Sequence, residues 1–250
     1  MDRLDAASIA LPGLEVHVLE RCGSTNALLL AERGRHAVLL ATEAQTAGRG
    51  RRGRRWYSLP GADLTFSVAV SLQRPARELA ALPLVAGVAV TRTLRAAGVS
   101  GVALKWPNDL VVDGAKLGGI LVETRAEGGR MRAVIGIGIN CRRSPGLATA
   151  LRRRVACVEE FIAPDRNVLI RTIALTLLAE LEAFELRGFD AAQWEALDAH
   201  AGQRLRVRLS DGRTLSGIAC GLAEDGALRL RNRSGIRAVH SGRVVAARAA

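Results

Sequence analysis

The stretch Thr42–Trp56 (TEAQTAGRGRRGRRW) concentrates residues that can bind an anion. Its segment from Gly48 to Arg55 contains three glycines and five arginines and no aliphatic side chain. Glycine lets the backbone approach a ligand closely, so successive N–H groups can converge on an anion. Arginine adds a planar, permanently charged group that binds phosphate or carboxylate through two hydrogen bonds. A solvated basic loop without a ligand is the alternative, and the flanking sequence separates the two.

Strands are predicted on both sides of this loop. His36–Ala41 (HAVLLA) is typical of a buried strand. Leu64–Leu72 alternates apolar and polar residues with a period of two, which predicts a strand with one face buried. Loops anchored between core elements commonly carry function. We therefore expect an anion-binding loop that is mobile until its ligand arrives.

Two lysines, Lys105 and Lys116, are the second chemical signal. The other 34 of the 36 basic residues are arginine, so lysine is expected where a compact ammonium is needed. The net charge of +12 would ordinarily favour nucleic acid or another acidic partner. We attribute the arginine bias to genomic base composition, so the charge alone says little about the partner.

The sequence around each of these lysines predicts that it lies at the end of a strand of the same sheet. Lys105 ends a short predicted strand. Asp113-Gly114 is a strong signal for a hairpin turn, and the strands that it joins are Leu110–Val112 and Leu117–Glu123. Lys116 therefore lies just past a tight turn, beside two glycines that leave the neighbouring space open.

Two further segments combine structural and ligand-binding signals. Ser24–Asn26 opens a predicted helix that ends near Arg33, and a helix N-cap explains one of the three polar residues. The free N–H groups of that first turn can also bind a polar ligand. Arg132–Asn140 is a predicted strand whose Gly136 and Gly138 remove side chains from one face. A ligand lying flat on the sheet explains them, and a bulge or tight helix packing explains them equally well.

A composition shift near Gly202 divides the chain into regions 1–200 and 201–250. The first region has apolar segments at helical spacing, and the helices predicted from them are Pro83 to about Ala97, Val168–Leu186 and Ala191–His200. The second region becomes short strands separated by turns, which predicts a small all-β barrel. About 50 residues are marginal for independent stability, so this region is expected to pack on the larger one.

The cysteines and the N-terminus bound the cellular context. Cys22, Cys141, Cys157 and Cys220 show no CxxC spacing, so neither a zinc site nor a disulfide framework is predicted. The N-terminus lacks a signal-peptide pattern. The longest apolar run, Leu79–Val90, is too short to span a bilayer. We expect a soluble cytoplasmic protein without a metal site of its own.

Five blocks of this sequence, in their order and approximate spacing, resemble the biotin–protein ligases. The blocks are Ser24–Asn26 (STN), Gln45–Arg54 (QTAGRGRRGR), Lys105–Asp109 (KWPND), Lys116–Glu123 (KLGGILVE) and Gly136–Asn140 (GIGIN). Each block is weak alone, and together they are highly specific and cover nearly the whole chain. The resemblance implies an α+β fold, with a mixed β-sheet flanked by helices as in class II synthetases. It also implies a small C-terminal SH3-like β-barrel.

The same resemblance implies an ATP-dependent ligase. Biotin would be activated as biotinyl-5′-AMP and then transferred to a lysine of a biotin carboxyl carrier protein, in acetyl-CoA carboxylase or a related carboxylase. ATP and biotin would be substrates, and Mg²⁺ would be carried mostly by the nucleotide. Only 23 residues precede Ser24, so the monofunctional form without a helix-turn-helix domain is expected. Specific DNA and membranes are not expected partners, and a homodimer is left open.

Residue roles follow from the same matching. Lys116, Arg51 and Lys105 would be catalytic, with Lys116 reaching the biotin carboxylate and Lys105 the nucleotide phosphates. The arginine loop would fold over the intermediate, offset developing negative charge and exclude water. The implied binding residues are Ser24, Thr25, Asn26, Gln45, Gly48, Arg49, Gly50, Arg51, Arg52, Arg54, Trp56, Asn108, Asp109, Lys116, Gly118 and Asn140.

Some of these assignments have structural alternatives. Trp56 would cover the adenine or belong to the core. Asn108, Asp109 and Asn140 would contact the nucleotide or Mg²⁺, and Asp109 is equally explained as a turn former after Pro107. No residue is assigned as a direct metal ligand.

Two other classes of protein remain open at this point. Lipoate– or octanoate–protein ligases share the fold and the adenylation chemistry, although the Gly-rich arginine loop argues against them. A nucleic-acid-binding protein is suggested by the charge. Against that class, the basic residues are dispersed and the motifs lack interleaved aromatic residues.

Overall fold

The computed structural model of the chain describes residues 3–34, 36–143, 148 and 153–248. Seven strands build its larger sheet: β1 (Leu14–Cys22), β2 (Ala37–Gln45), β3 (Asp63–Leu72), β4 (Val102–Lys105), β5 (Asp109–Val112), β6 (Ala115–Glu127) and β7 (Arg130–Asn140). Their order is β1-β2-β3-β7-β6-β5-β4. β1 and β2 pair in parallel and the remaining neighbours pair antiparallel, so the sheet is mixed, as expected.

Helices cover both faces of this sheet. They are α1 (Ala6–Ile9), α2 (Thr25–Ala31), α3 (Leu82–Ala96), α4 (Arg166–Arg187) and α5 (Ala191–Glu195). α3 and α4 pack together over one face and enclose the main core. α2 covers the opposite face through a smaller cluster that includes Leu29, Val38 and Leu40.

The packing of α2 corrects one expectation. β3 was expected to bury a single face, but Thr65, Ser67 and Ala69 are buried as completely as Phe66 and Val68. The polar face of β3 is covered because α2 lies on it, and hydrogen bonds to α2 satisfy the Ser67 hydroxyl. The period-two alternation of β3 therefore distinguishes an apolar face buried in the main core from a polar face buried under α2. Neither face is exposed to solvent.

Local signals explain where the helices begin and end. Ser24 caps α2 by accepting a hydrogen bond from the Ala27 N–H, and Pro83 lies in the first turn of α3. α5 ends at Glu195, short of the predicted His200. The chain turns there and Asp198 forms an isolated bridge with β4, because Leu104 donates to the Leu197 carbonyl and accepts from the Ala199 N–H.

The C-terminal region is a five-stranded antiparallel sheet. Its strands are β8 (Arg204–Arg208), β9 (Thr214–Leu222), β10 (Leu228–Asn232), β11 (Gly235–Val239) and β12 (Arg243–Arg248). Their order is β11-β10-β9-β8-β12, and among the described residues the edge strands do not pair, so hydrogen bonding does not close a barrel. This sheet shares the main apolar core, as its small size predicted, and Trp106 Nε1 donates to the Gly226 carbonyl across the boundary.

The segment Glu78–Ala96 is long and apolar enough to cross a membrane by length and composition alone. Within it, 72% of the apolar window is buried inside the protein. It is therefore the core helix that the sequence predicted, together with the helical turn that precedes it.

Candidate active site

Two adjoining cavities, each of about 350 Å³, open beside the arginine loop. The sheet cavity lies against the large sheet and is lined by Thr25, Phe66 and Gly136–Gly138, among others. The boundary cavity lies between the two regions of the chain and is lined by Lys105 and Gly242, among others. Residues common to both form a shared wall: Arg51, Arg54, Asn108, Asp109, Lys116, Arg153 and Arg243.

A chain of buried polar groups forms the floor of the sheet cavity. The hydroxyls of Thr25 and Ser67 lie 2.7 Å apart, and Ser67 donates to Asn26 Oδ1 at 2.6 Å. Asn26 Nδ2 donates to Glu123 Oε2 at 2.9 Å, and the Thr25 N–H donates to Gln45 Oε1 at 2.9 Å. Each group fixes the next, so this floor is rigid before any ligand binds.

Two glycines of β7 make room for this arrangement. A Cβ atom at Gly136 would lie 2.2 Å from Asn26 Oδ1, and one at Gly138 would lie 2.5 Å from the Trp56 ring. Tight packing against α2 therefore explains Gly136, which was one of the two explanations left open. Trp56 lines the sheet cavity, and among the described residues its buried Nε1 has no hydrogen-bond partner.

Lys116 lies on the shared wall, where the predicted hairpin turn places it. Asp113 and Gly114 form the turn with positive φ angles of 48° and 74°. The Lys116 ammonium donates to Asp109 Oδ1, and its side chain is only 13% exposed. Burial lowers the pKa of Lys116, and the Asp109 carboxylate opposes that shift. Its Nζ would lie 3.0 Å from a Cβ at Gly119, so the ammonium has little spare room.

Lys105 ends β4 and lines the boundary cavity only. Burial lowers its pKa, and the field of Asp109 works in the opposite direction. Asn108 uses its amide to donate to the Ile120 carbonyl at 2.8 Å. Its Oδ1 faces Arg51 Nη1 at 3.4 Å, so Asn108 joins the sheet to the arginine loop.

The arginine loop is folded into a small hairpin. Gly50 N–H donates to the Arg54 carbonyl and Trp56 N–H donates to the Gly48 carbonyl. Arg49 and Arg52 tie it to distant elements, with Arg49 bound to Glu123 at 2.9 Å and Arg52 to Ser241 Oγ at 3.1 Å. Arg52 has φ 58° and ψ 42°, a left-handed conformation that is uncommon outside glycine.

Three of the predicted binding residues lie behind the cavity walls. Asn140 is buried, and its amide donates to the carbonyls of Lys116 and Ala156. A Cβ at Gly118 would meet the Gly138 carbonyl, and one at Gly48 would meet the Trp56 carbonyl. The other predicted residues line one or both cavities, with Arg52 and Lys105 on the boundary cavity alone.

The sequence did not single out several residues that the structure brings to the site. Arg153 and Arg243 line both cavities, and Arg153 Nη1 lies 3.8 Å from Asp109 Oδ2. Burial lowers the pKa of Arg153. Ser67 and Glu123 complete the polar floor. Only Glu123 had a usable signal, because it is an acidic residue at the end of the apolar KLGGILVE block.

Comparisons with known proteins agree with this geometry. Residues 21–140 match the family model described as Biotin/lipoate A/B protein ligase family, and residues 200–245 match Biotin protein ligase C terminal domain. The Bifunctional ligase/repressor BirA of Escherichia coli K12 is 37% identical over 226 residues, which cover 88% of this chain and 70% of that protein.

Two further relatives resemble the chain over more of their own length. Biotin--[acetyl-CoA-carboxylase] ligase of Mycobacterium tuberculosis is 36% identical, over 86% of this chain and 83% of that protein. The solved structure of biotin protein ligase from Aquifex aeolicus in complex with biotin and ATP has a TM-score of 0.78 and 26% identity, over 94% of this chain and 99% of that one. The chain therefore belongs to the biotin protein ligase family.

Proposed function

We propose that this protein is an ATP-dependent biotin–protein ligase that forms biotinyl-5′-AMP and transfers biotin to a lysine of a carboxylase carrier domain. One observation carries the proposal: the Lys116–Asp109 pair lies on the wall shared by a polar-floored cavity and a cationic cavity. A carboxylic acid and a nucleoside triphosphate require such a juxtaposition. The Aquifex structure named above holds biotin and ATP, which supports these two substrates.

The first half-reaction joins the two substrates at phosphorus. A biotin carboxylate oxygen attacks the α-phosphorus of ATP and forms a new O–P bond. The bond from the α-phosphorus to the bridging oxygen of the β-phosphate breaks, and pyrophosphate leaves with the electron pair. Negative charge accumulates on the α-phosphate oxygens, where fixed cations such as Lys116 and Arg51 stabilise it best in a site without bulk water.

The sheet cavity supports binding of the acid. Gln45 accepts a hydrogen bond from the Thr25 N–H, so its amide nitrogen remains a donor for a polar ring substituent. Phe66, Trp56 and Ile137 supply apolar walls for the thioether ring and the alkyl chain. Trp56 lines this cavity and not the boundary cavity, so we propose it as a wall for the acid in place of the adenine cover that the resemblance implied. In this arrangement the acid's carboxylate end points to Lys116.

Mg²⁺ fits the site as a companion of the nucleotide. Among the described lining residues of both cavities Asp109 is the one carboxylate, and it is already paired with Lys116. Mg²⁺ is commonly held by one or two carboxylates together with substrate phosphates. The nucleotide phosphates would supply most of its ligands and Asp109 the one protein carboxylate, and it would neutralise phosphate charge.

The second half-reaction consumes the mixed anhydride. The neutral amine of the carrier lysine attacks the carbonyl carbon, the bond from that carbon to the phosphate oxygen breaks, and AMP leaves with the electron pair. The nitrogen gives up one proton to solvent as the amide forms. We assign the covalent steps to region 1–200 and treat region 201–250 as a small domain that packs on it and lines part of the cleft. The mycobacterial relative is named for acetyl-CoA carboxylase, which supports a carrier of that kind. Four free cysteines are consistent with a reducing cytoplasm.

Exchange of labelled pyrophosphate into ATP tests the proposal. We expect exchange with biotin and none with lipoate or octanoate, and we expect Lys116→Ala to abolish it. Exchange supported by lipoate but not by biotin would overturn the substrate assignment.

A DNA-binding measurement tests the alternative that this is a nucleic-acid-binding protein. The charge of +12 favours non-specific binding that weakens steeply with salt. A footprint at a defined site in physiological salt would instead support a nucleic-acid-binding function.

A further inference from the structure

The C-terminal sheet turns one of its two faces to solvent, and that face is rich in arginine. Its other face carries apolar side chains of the main core, such as Leu205 and Val207 on β8. Successive residues of a strand point to opposite faces, so the residues that alternate with these core positions point outward. We call this surface the arginine face, after its members Arg204, Arg206 and Arg208 on β8 and Arg229 and Arg231 on β10.

The strand register brings these arginines side by side. Ile218 of β9 is paired with Arg204 on one side and with Arg231 on the other. Neighbouring strands lie about 4.8 Å apart, so these two arginines begin about 10 Å from each other across the sheet. Along β8, alternate residues are about 6.7 Å apart. The face is therefore a two-dimensional array of guanidinium groups.

In the described part of the C-terminal sheet, no carboxylate lies on this face. By the register, the positions beside the arginines are Thr214, Ser216, Ile218, Ile236, Ala238 and Ala246. The acids of region 201–250 lie in turns and are Asp211, Glu224 and Asp225. Two of them have local partners, in Arg213 and His240. Among the described residues, the side chains of the arginine face make no hydrogen bond or ion pair.

Base composition does not explain this excess of charge. Exchanging lysine for arginine leaves the charge unchanged, whereas here arginine outnumbers acid. Region 201–250 has ten arginines and three acids, so one fifth of the chain carries +7 of the net charge of +12. In the larger region several arginines pair with acids, for example Arg74 with Glu78 and Arg92 with Glu180. The arginine face is therefore a local concentration of unpaired charge.

The chemistry of the face favours the phosphate groups of a duplex. A guanidinium group binds phosphate through two hydrogen bonds, and duplex DNA presents one negative charge about every 1.7 Å along its axis. Proteins that bind single strands instead stack the bases on aromatic side chains. Region 201–250 has no Phe, Trp or Tyr, so the arginine face offers no such surface.

We propose that the arginine face binds the phosphate backbone of duplex nucleic acid without sequence preference. Contacts to phosphate position a protein on nucleic acid and do not read its sequence. Arg204, Arg206 and Arg231 line neither cavity, so the inference is independent of the ligase function.

Fluorescence anisotropy with a short labelled DNA duplex of arbitrary sequence measures this binding as a function of salt. The test variant carries the substitutions Arg204→Gln, Arg206→Gln and Arg231→Gln. The matched control loses three exposed arginines that line neither cavity and, among the described residues, make no side-chain hydrogen bond or ion pair. Its substitutions are Arg21→Gln, Arg33→Gln and Arg187→Gln. Both variants therefore lose the same charge.

We expect the wild-type affinity to fall steeply with salt, because each neutralised phosphate adds about 0.9 to the slope of log K against log salt. The test variant should lose about 2 to 3 units of that slope. It should also bind at least about 10-fold more weakly at low salt. The control should keep the wild-type slope. Equal losses in the two variants would show attraction by net charge alone and overturn the proposal, as would absence of binding by the wild type.

Competition tests the identity of the partner. Unlabelled duplexes of unrelated sequence should compete equally, and preference for one of them would contradict backbone binding. Poly-glutamate and phosphatidylserine vesicles, at the same concentration of charge, should compete much less well than duplex DNA. Equal competition by either would assign the face to an acidic protein or a membrane and overturn the proposal, and so would tighter binding of single-stranded DNA.

Two controls separate loss of binding from loss of structure. Replacing the same three arginines by lysine keeps the charge and should restore most of the salt slope, and no recovery in a folded protein would contradict binding of phosphate. Biotin-dependent pyrophosphate exchange should proceed equally in the test variant and the wild type. Loss of exchange in the test variant alone would place these arginines in the adenylation site and overturn the assignment.

Discussion

The floor of the sheet cavity and the boundary cavity are stabilised in opposite ways. On the floor, Thr25, Asn26 and Ser67 are buried and satisfy one another by hydrogen bonds. In the boundary cavity, cations from six separate segments face each other with one carboxylate among the described lining residues. The floor is complete when the chain folds, whereas the boundary cavity reaches electrostatic balance only with an anion. Selectivity for the acid and attraction of the nucleotide are thus assigned to different parts of one cleft.

The largest expected change is in the adenylation rate, and it comes from Lys116 on the wall that the two cavities share. Lys116→Arg should lower the single-turnover rate of adenylation by about 100-fold, because misplacement of a reactant by about 1 Å has that consequence. The ammonium has little spare room beside Gly119, and a planar guanidinium would displace a reactant or break the contact with Asp109. Transfer from supplied biotinyl-AMP should be affected less.

Lys105→Arg is the matched control for this substitution. Lys105 lines only the boundary cavity, which is already rich in arginine, so its replacement should reduce adenylation by a much smaller factor. Wild-type adenylation by Lys116→Arg would show that Lys116 supplies charge alone.

Adding a methyl group to the floor of the sheet cavity should have the next largest effect, on the free energy of unfolding and on biotin affinity. Gly136→Ala would force a methyl group onto Asn26, which Ser67 and Glu123 hold in place, and should lower the free energy of unfolding by about 1–3 kcal/mol. Biotin affinity should fall with it. Gly138→Ala meets the Trp56 ring, which sits on a loop that can shift, so it should destabilise less. Equal losses in urea titrations of the two variants would contradict the rigid floor.

The arginine loop connects the two environments. Arg51 lines both cavities, and its side chain has one hydrogen bond among the described residues, at 3.4 Å to Asn108 Oδ1. Arg51→Gly should release biotinyl-AMP about 10-fold faster, since one charged hydrogen-bond donor is lost. Biotin and ATP together should also slow tryptic cleavage within the loop. Cleavage at the same rate with and without ligands would contradict closure of the loop on the intermediate.

Salt should affect ligand affinity differently in the two cavities, and this effect should be smaller than those of the substitutions above. Raising ionic strength screens partly exposed charges, so pyrophosphate affinity should fall severalfold between low and physiological salt. Biotin affinity should change little, because buried hydrogen bonds and apolar contacts dominate the sheet cavity. Parallel titrations with the two ligands measure this difference, and equal salt dependence would remove the distinction.

Much of the fold was predictable because its signals are local. The alternation of β3 and the Asp113-Gly114 turn each lie within a few residues, and both elements formed as predicted. The second buried face of β3 was missed because it depends on α2 packing back over the sheet. The early end of α5 depends likewise on pairing with β4.

The candidate site was predictable only where motifs were distinctive. Lys116 stood out because lysine is rare in this chain, and the arginine loop stood out by its glycines. Arg153 and Arg243 could not be identified from the sequence, because one arginine among 34 carries no local signal. Their position in the cleft depends on which segments meet in space.

The scarcity of lysine in this chain also limits how much the enzyme can label itself. A leaked acyl-adenylate acylates neutral amines, and this chain has only Lys105 and Lys116 as side-chain amines. Both lie in the cleft, and Lys116 is paired with Asp109 as the ammonium. The outer surface therefore offers no lysine for self-modification. A blot for protein-bound biotin should show an enzyme band weaker than the bands of lysine-bearing bystander proteins, because the α-amine is the main amine left to react.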